Sequence, residues 1–196
     1  MPRNGEPARR RLQQAAVELF CERGYDGTTA AEIAVRAGVT ERTFFRHFAD
    51  KREVLFDGQA KLHEWLTASV AKAPATLRPL EVLYRAFRSV EQALEDNRPF
   101  SFPRQQVIDR TPALQERELA KVAALAEALA VALRGRGVDE RLAALAAQTG
   151  MAAFRYAVAS WFADPAGGLK AHLNRAFDEL DGLAASFSKR EGPRRG

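Results

Sequence analysis

The stretch that decides the fold is residues 28–51, TTAAEIAVRAGVTERTFFRHFADK. Thr29 stands three residues before Glu32. This is the spacing of a capping box, in which the threonine and glutamate side chains each accept a hydrogen bond from the other residue's backbone N–H. The helix that begins there ends at Gly38, and Thr40 follows closely enough to cap another helix. Two short helices joined by so tight a turn predict a helix-turn-helix, whose last helix enters the major groove of DNA.

A longer amphipathic helix precedes this pair. Within residues 8–23, apolar side chains recur at the three- and four-residue spacing of one helical face. These side chains are Leu12, Ala15, Ala16, Leu19 and Phe20. Gly24 then stands where a left-handed residue often ends a helix. Residues 8–48 are therefore expected to form three packed helices.

The third helix, residues 40–48, has two chemically different sides. With about 100° between successive residues, Phe44 and Phe48 point to one side and Arg42 and Arg46 to the other. Arginine side chains on the front of a helix can bind guanine edges in the major groove. The flanking side chains are Thr43 and Phe45 on the front, and His47 and Lys51 at the side, where phosphates would pass.

Each of these side chains also has an ordinary structural interpretation. Arg42 and Arg46 could form a solvated helix face, and His47 could be a packed histidine. Phe45 could belong to the core, but Phe44 and Phe48 already fill the inner side. We therefore expect Phe45 to be exposed.

The same residues resemble the DNA-binding domain of the TetR family of transcriptional regulators. The resemblance covers about 45 residues, in order and without gaps. It is carried by Gly24-Tyr25, Thr28-Thr29, Glu32-Ile33-Ala34, Ala37-Gly38-Val39-Thr40, Thr43-Phe44-Phe45-Arg46-His47-Phe48 and Asp50-Lys51. A looser resemblance to the mycofactocin-associated regulators is carried by Thr111-Pro112-Ala113-Leu114 and Arg117-Glu118-Leu119-Ala120.

The resemblance implies a homodimeric repressor that binds double-stranded operator DNA and is controlled by a small-molecule effector. A cytoplasmic location is expected on other grounds, since the single cysteine cannot form an internal disulfide and the sequence shows no signal peptide. It implies phosphate contacts by Thr29, His47 and Lys51, and base reading by Arg42 and Thr43. Phe45 stands where many relatives have tyrosine, which leaves an apolar contact. Activator rather than repressor remains an open alternative.

The remaining chain is expected to be helical, which makes the fold class all-α. Asp50 can cap a helix over residues 51–71, and two proline-containing stretches, 72–79 and 97–103, are expected to be irregular. Further helices are expected at 80–95, 104–109, 112–134, 139–163 and 168–187. The sequence thus predicts a helix-turn-helix domain over 1–51, a helical bundle for effector binding and dimerisation over 52–190, and a basic tail at 191–196.

The bundle contains candidate ligand-binding residues. Aromatic side chains and a few cations on otherwise apolar helices are typical of small-molecule pockets. The candidates are Trp65, Phe87, Arg88, Phe102, Arg104 and Arg155. Arg155 is singled out because it falls within the apolar stripe of its helix, where a charge needs a partner. That partner could be a ligand anion such as that of an acyl-CoA, a second subunit, or an acidic residue of the same subunit.

The last two long helices carry more apolar surface than one subunit needs, which predicts a homodimer built from both. Arginine and lysine also cluster at residues 9–11 and 189–195, although the net charge of the whole chain is only +5. Basic tails are commonly solvated ends, so this balance is a weak indication of nucleic-acid binding.

Other classes of protein are disfavoured. The longest uncharged run, 142–154, is too short to span a bilayer, and no secretory signal follows Met1. Cys21 is expected to be a buried small hydrophobe. We expect no catalytic residues, cofactor or metal, because the sequence has no phosphate loop, nucleophile elbow or zinc signature. The alternative function is an all-helical ligand carrier or enzyme whose amino-terminal module no longer regulates transcription.

Overall fold

The structure, a computed structural model, describes residues 6–188 of the 196-residue chain. Within this range the regular structure is helical and contains no strand, which confirms the all-α prediction. The helices are α1 Glu6–Arg23, α2 Ala30–Arg36, α3 Glu41–His47, α4 Gln59–Lys72, α5 Pro79–Ser89, α6 Glu91–Asp96, α7 Arg98–Asp109, α8 Pro112–Arg134, α9 Glu140–Ala163 and α10 Gly168–Ser188. None of the helices in residues 6–188 is long and apolar enough to cross a membrane.

The local signals around α2 and α3 act as the sequence predicts. The Thr29 hydroxyl accepts a hydrogen bond from the Glu32 N–H at 3.2 Å, and the Glu32 carboxylate accepts one from the Thr29 N–H at 2.8 Å. Thr40 caps α3 by accepting from a backbone N–H. Gly24 and Gly38 have φ of +79° and +66°, so each adopts the left-handed conformation that ends a helix. The helix-turn-helix is thus defined by short-range hydrogen bonds.

The segment after α3 differs from the prediction. Asp50 does cap the next turn, since its carboxylate accepts from the N–H groups of Arg52 and Glu53. A continuous helix over 51–71 does not follow. A short 3-10 turn forms at Glu53–Phe56, and Gly58 then has φ of +85°, a left-handed conformation that cannot continue a helix. Helix α4 therefore begins only at Gln59.

Two further predictions about helix boundaries were wrong. Residues 80–95 are divided at Val90, which caps α5 before the short helix α6. The stretch 97–103 was expected to be irregular, but residues 98–103 belong to α7 and Asn97 is its N-cap. Pro99 lies in the first turn of α7, where no backbone N–H is required. Pro103 removes one hydrogen bond, and the burial of side chains later in α7 offsets that loss.

Cys21 was predicted to be buried, but it is exposed. Its neighbour Val17, one turn earlier, is buried. Successive turns of an α-helix drift by about 40° around its axis, so a residue one turn from a buried position can lie at the edge of the apolar stripe.

The chain forms two compact units. Among the described residues, the first contains residues 6–61 together with Asp96–Lys121, and the second contains Leu62–Glu95 together with residues 122–188. The functional boundaries 1–51 and 52–190 stay a prediction. They differ from the compact units because residues 52–61 and 96–121 pack with the helix-turn-helix. The predicted basic tail, 191–196, lies outside the described residues.

The core of the first unit comes from α1–α3, the 3-10 turn, α7 and the beginning of α8. Its largest fully buried side chains are Leu12, Leu19, Ile33, Phe44, Leu55, Ile108 and Leu114. Helix α7 thus packs on the same core as the helix-turn-helix, an arrangement that the sequence did not predict.

The core of the second unit is centred on α5, α9 and α10. The rings of Phe87 and Phe154 stack with their centroids 4.5 Å apart. Gly150 allows α9 to approach α5 closely, because a Cβ atom there would lie 2.8 Å from the Leu83 side chain. Ala143 and Ala147 of α9 are buried inside this core.

Candidate nucleic-acid interface

Helix α3 has the two-sided character expected of a DNA-reading helix. Phe44 and Phe48 are buried in the first core, while Arg42 and Arg46 are exposed on the outer face. Within residues 6–188, neither arginine makes a side-chain hydrogen bond or an ion pair. Both guanidinium groups therefore keep all their donors for a molecule outside the protein.

The other two front-face residues differ in exposure. Phe45 has 52% of its surface exposed, as predicted, and its ring meets that of Phe44 edge-on with the centroids 5.3 Å apart. Thr43 is half-buried, and its hydroxyl lies 3.0 Å from that of Thr40. An exposed aromatic ring between arginines can contact thymine methyl groups, and threonine can contact either kind of base pair.

His47 is half-buried against Phe48, beside the outer face of α3. Its Nε2 atom is buried and has no hydrogen-bond partner among residues 6–188. Burial lowers the pKa of His47, and the nearby charges of Arg46 and Arg9 lower it further. In the unbound protein the imidazole is therefore neutral near pH 7, with one N–H donor to offer a phosphate.

Lys51 has a structural role in addition to the predicted phosphate contact. Its ammonium group donates to the carbonyls of Tyr25 and Thr28 at 2.8 and 3.0 Å. It also lies 4.2 Å from the centroid of the Tyr25 ring. Thr29 follows directly and is exposed, so Lys51 fixes the loop that presents the Thr29 hydroxyl. An ammonium has three donors, and one is left for a phosphate.

Sequence reasoning missed the role of Arg9. It was noticed only as part of a basic cluster, but its guanidinium forms two hydrogen bonds with the Asp57 carboxylate. Gln13 also donates to that carboxylate, at 3.0 Å. The Arg9 guanidinium lies 5.4 Å from the centroid of the Phe48 ring. The beginning of α1 is thus joined to the residue that ends the 3-10 turn by an ion pair between side chains 48 residues apart, and to the end of α3 by the contact with Phe48.

Two of the predicted ligand residues, Phe102 and Arg104, lie in the first unit. Arg104 donates to the Leu55 carbonyl, lies 5.2 Å from the centroid of the Phe56 ring and is 3.5 Å from the Glu118 carboxylate. Burial lowers the pKa of Arg104. Its guanidinium is therefore engaged with the protein itself.

The other ligand candidates lie in the second unit and differ in their surroundings. Trp65 is 49% exposed, whereas Phe87 is fully buried. Arg88 donates to the Glu91 carboxylate at 2.5 Å and to the Tyr84 hydroxyl at 3.2 Å. The expectation that Arg155 lies within a buried stripe was wrong, since Arg155 is exposed.

The first unit has the architecture of a helix-turn-helix module, with an arginine-bearing helix presented to the outside. Residues 12–57 match the family model described as bacterial regulatory proteins, tetR family. Residues 77–184 match that of the MftR C-terminal domain, which agrees with the looser resemblance noted in the sequence. The chain belongs to the TetR family of bacterial regulatory proteins.

Individual relatives support this assignment. The chain is 33% identical over 138 residues to the HTH-type transcriptional regulator TcmR of Streptomyces glaucescens, a match that covers 67% of this chain and 61% of that protein. It therefore spans about three fifths of that relative's length. A protein of Mycobacterium tuberculosis named as the mycofactocin biosynthesis transcriptional regulator MftR is 26% identical over 187 residues, covering 91% of this chain and 94% of that one.

A solved structure provides a further comparison. The TetR-family repressor FadR of Thermus thermophilus, in complex with lauroyl-CoA, is 28% identical, with a TM-score of 0.55. The match covers 88% of this chain and 92% of that one.

Proposed function

We propose that the protein is a transcriptional repressor that binds a palindromic operator through α3 and is released by a small effector. The observation that carries this proposal is the outer face of α3, where Arg42 and Arg46 are exposed and have no partner among residues 6–188. In this proposal Arg42, Thr43, Phe45 and Arg46 contact base edges, and Thr29, His47 and Lys51 contact phosphates. In this proposal the protein acts in the cytoplasm.

The decisive experiment measures binding to the DNA upstream of the gene that encodes the protein, over a range of salt concentrations. Arg42→Ala and Arg46→Ala should each weaken operator binding by about ten- to one-hundredfold, since a base-reading arginine contributes about 1–3 kcal/mol. Arg85→Ala is a matched control, because Arg85 is an exposed arginine on α5 of the second unit. Unchanged operator affinity in both α3 variants would refute the assignment.

We also propose that the repressor is a homodimer held by α9 and α10. Support comes from large apolar side chains that these helices leave exposed: Leu142, Leu145 and Tyr156 on α9, and Leu183 on α10. Apolar residues that gather on one helix face are typical of surfaces that bind another protein. A two-fold axis would present two reading helices to a palindromic site, about 34–36 Å apart.

The effector that we propose is largely apolar and acyl-CoA-like. Support comes from the relative solved with lauroyl-CoA and from the aromatic side chains of the second unit, with Trp65 and Phe87 as candidate contacts. Arg88 is the candidate for its polar end, since Arg104 is engaged within the first unit. Arg88 already pairs with Glu91, so a ligand anion would have to compete with a carboxylate.

Mass spectrometry of ligand that copurifies with the native protein would identify the effector class. The identified molecule should then release the protein from operator DNA. By linkage, operator DNA must weaken effector binding by the same factor, and equal effector affinities with and without operator would refute the inducer role.

A further inference from the structure

The short segment that follows the reading helix is held by a second charged contact. The Glu53 carboxylate accepts hydrogen bonds from Arg117 at 2.9 Å and from Lys121 at 3.4 Å, both on α8. The side chains of Glu53 and Lys121 are each about three-quarters buried, at 26% and 24% exposure. Ion pairs that are partly shielded from water are less weakened by salt than exposed ones. Glu53 is thus an anchored side chain rather than a solvated one.

Glu53 is directly connected to groups that shape the DNA-reading surface. Its own N–H donates to the Asp50 carboxylate at 3.0 Å, and the N–H of Arg52 donates to the same group at 2.7 Å. Lys51 lies between Asp50 and Arg52 in the chain, and its ammonium group binds the loop that precedes Thr29. A displacement of Glu53 would therefore move the end of α3 and the start of α2 together.

Helix α8 provides the other side of this contact. It is a continuous helix of 23 residues, and its residues up to Lys121 belong to the first unit while those from Val122 belong to the second. The two cations that hold Glu53 therefore stand on an element that continues into the proposed effector-binding unit.

We propose that Glu53 is a positioning residue for DNA reading, and that Arg117 and Lys121 act through it to set the orientation of α3. This inference rests on the proposed function, since it requires sequence-specific DNA binding. Glu53, Arg117 and Lys121 lie outside α3, and the proposal gives them a role in the discrimination between operator and other DNA.

The test compares operator affinity with affinity for DNA of unrelated sequence. Glu53→Gln keeps the size of the side chain and removes its charge, which weakens both ion pairs. Removal of a negative charge strengthens the binding of any DNA, because that binding is dominated by phosphate contacts. Misplacement of α3 weakens operator binding alone. We expect the ratio of operator affinity to unrelated-DNA affinity to fall about threefold for each reading helix, and so about tenfold for a dimer.

A double-mutant cycle tests whether the cations act through Glu53. Replacement of both Arg117 and Lys121 by glutamine should lower the same ratio. Once Glu53→Gln is present, that replacement should lower the ratio no further. Losses that multiply in the triple variant would overturn the claim that the cations act through Glu53.

Glu127→Gln is the matched control. Glu127 is also on α8 and pairs with Arg134 at 3.2 Å, but it belongs to the second unit. Its substitution makes the same change of charge and should leave the ratio unchanged. If Glu53→Gln fails to fold, Glu53→Asp replaces it, since aspartate keeps the charge and withdraws the carboxylate from α8. An unchanged ratio in the folded variant, or an equal fall in Glu127→Gln, would overturn the proposal.

The proposed function and the positioning role of Glu53 would be refuted by different results. Wild-type protein that binds operator and unrelated DNA equally would refute the proposed function. Wild-type protein that prefers its operator, together with a Glu53 variant of the same preference, would refute the positioning role alone.

Discussion

Replacement of Lys51 by alanine should destabilise the protein as well as weaken DNA binding. The ammonium group of Lys51 donates to two backbone carbonyls, at 2.8 and 3.0 Å, and lies over the Tyr25 ring. A hydrogen bond from a charged donor contributes about 1.5–3 kcal/mol, and a partly exposed cation–π contact about 0.5–1 kcal/mol. Lys51 is half-buried, and water can replace part of what is lost. We therefore expect a loss of about 2 kcal/mol in the free energy of unfolding.

Thermal unfolding checks this magnitude. For a chain of this size, about 2 kcal/mol corresponds to a fall in Tm of about 4–8 °C. Lys170→Ala is the control, because Lys170 is exposed on α10 and its replacement should leave Tm unchanged. A Tm for Lys51→Ala that equals that of the wild type would refute the structural role.

DNA binding by the same variant separates the two roles of Lys51. Loss of one phosphate contact should reduce the salt dependence of binding by about one unit of slope, whatever the DNA sequence. Loosening of the Tyr25–Thr28 loop should in addition weaken operator binding more than binding to unrelated DNA. A variant with a lower Tm and an unchanged salt slope would show that Lys51 is structural and touches no phosphate.

Three further predictions concern other parts of the molecule. The pKa of His47 is lowered in the unbound protein, and a neighbouring phosphate raises it, so operator affinity should increase as pH falls from 7 toward 5.5. The operator affinity of His47→Gln should depend less steeply on pH. A dependence as steep as that of the wild type would contradict the phosphate contact. Gly150→Ala should cost about 1–3 kcal/mol, measured by denaturant unfolding, because its Cβ would lie 2.8 Å from Leu83; wild-type stability would contradict this packing. Leu145→Asp with Leu183→Asp, at exposed positions, should give folded monomers in sedimentation experiments, whereas dimers would exclude this interface.

The helix-turn-helix could be predicted from sequence because its determinants are local. A capping box, a glycine at a helix end and an apolar stripe all act within a few residues of one another. The break at Gly58 was missed because Asp50 is a valid cap for either a 3-10 turn or a longer helix. The two prolines of α7 were interpreted as breakers, yet the burial of Val107 and Ile108 stabilises that helix.

The contacts that position the site could not be predicted in the same way, because they join distant parts of the chain. The Tyr25 carbonyl lies 26 residues before the lysine that binds it, and Glu53 lies 64 residues before Arg117. Side-chain chemistry gives the sign of each charge but not its partner. The sequence therefore predicted which residues of α3 are exposed and missed what holds α3 in place.

The exposure of Arg155 changes the balance among its three possible roles. A pocket residue that binds an anion is expected to be withdrawn from solvent, and an internal ion pair would also lie close to the core. Instead, Arg155 shares the exposed side of α9 with Leu145, Ala152 and Tyr156. Small and large apolar residues on one exposed helix face favour close packing against a second helix, and arginine is common in such interfaces. Of the three roles that the sequence left open, exposure therefore favours the proposed dimer interface, and the effector's polar end is better sought among the partly buried groups around Arg88.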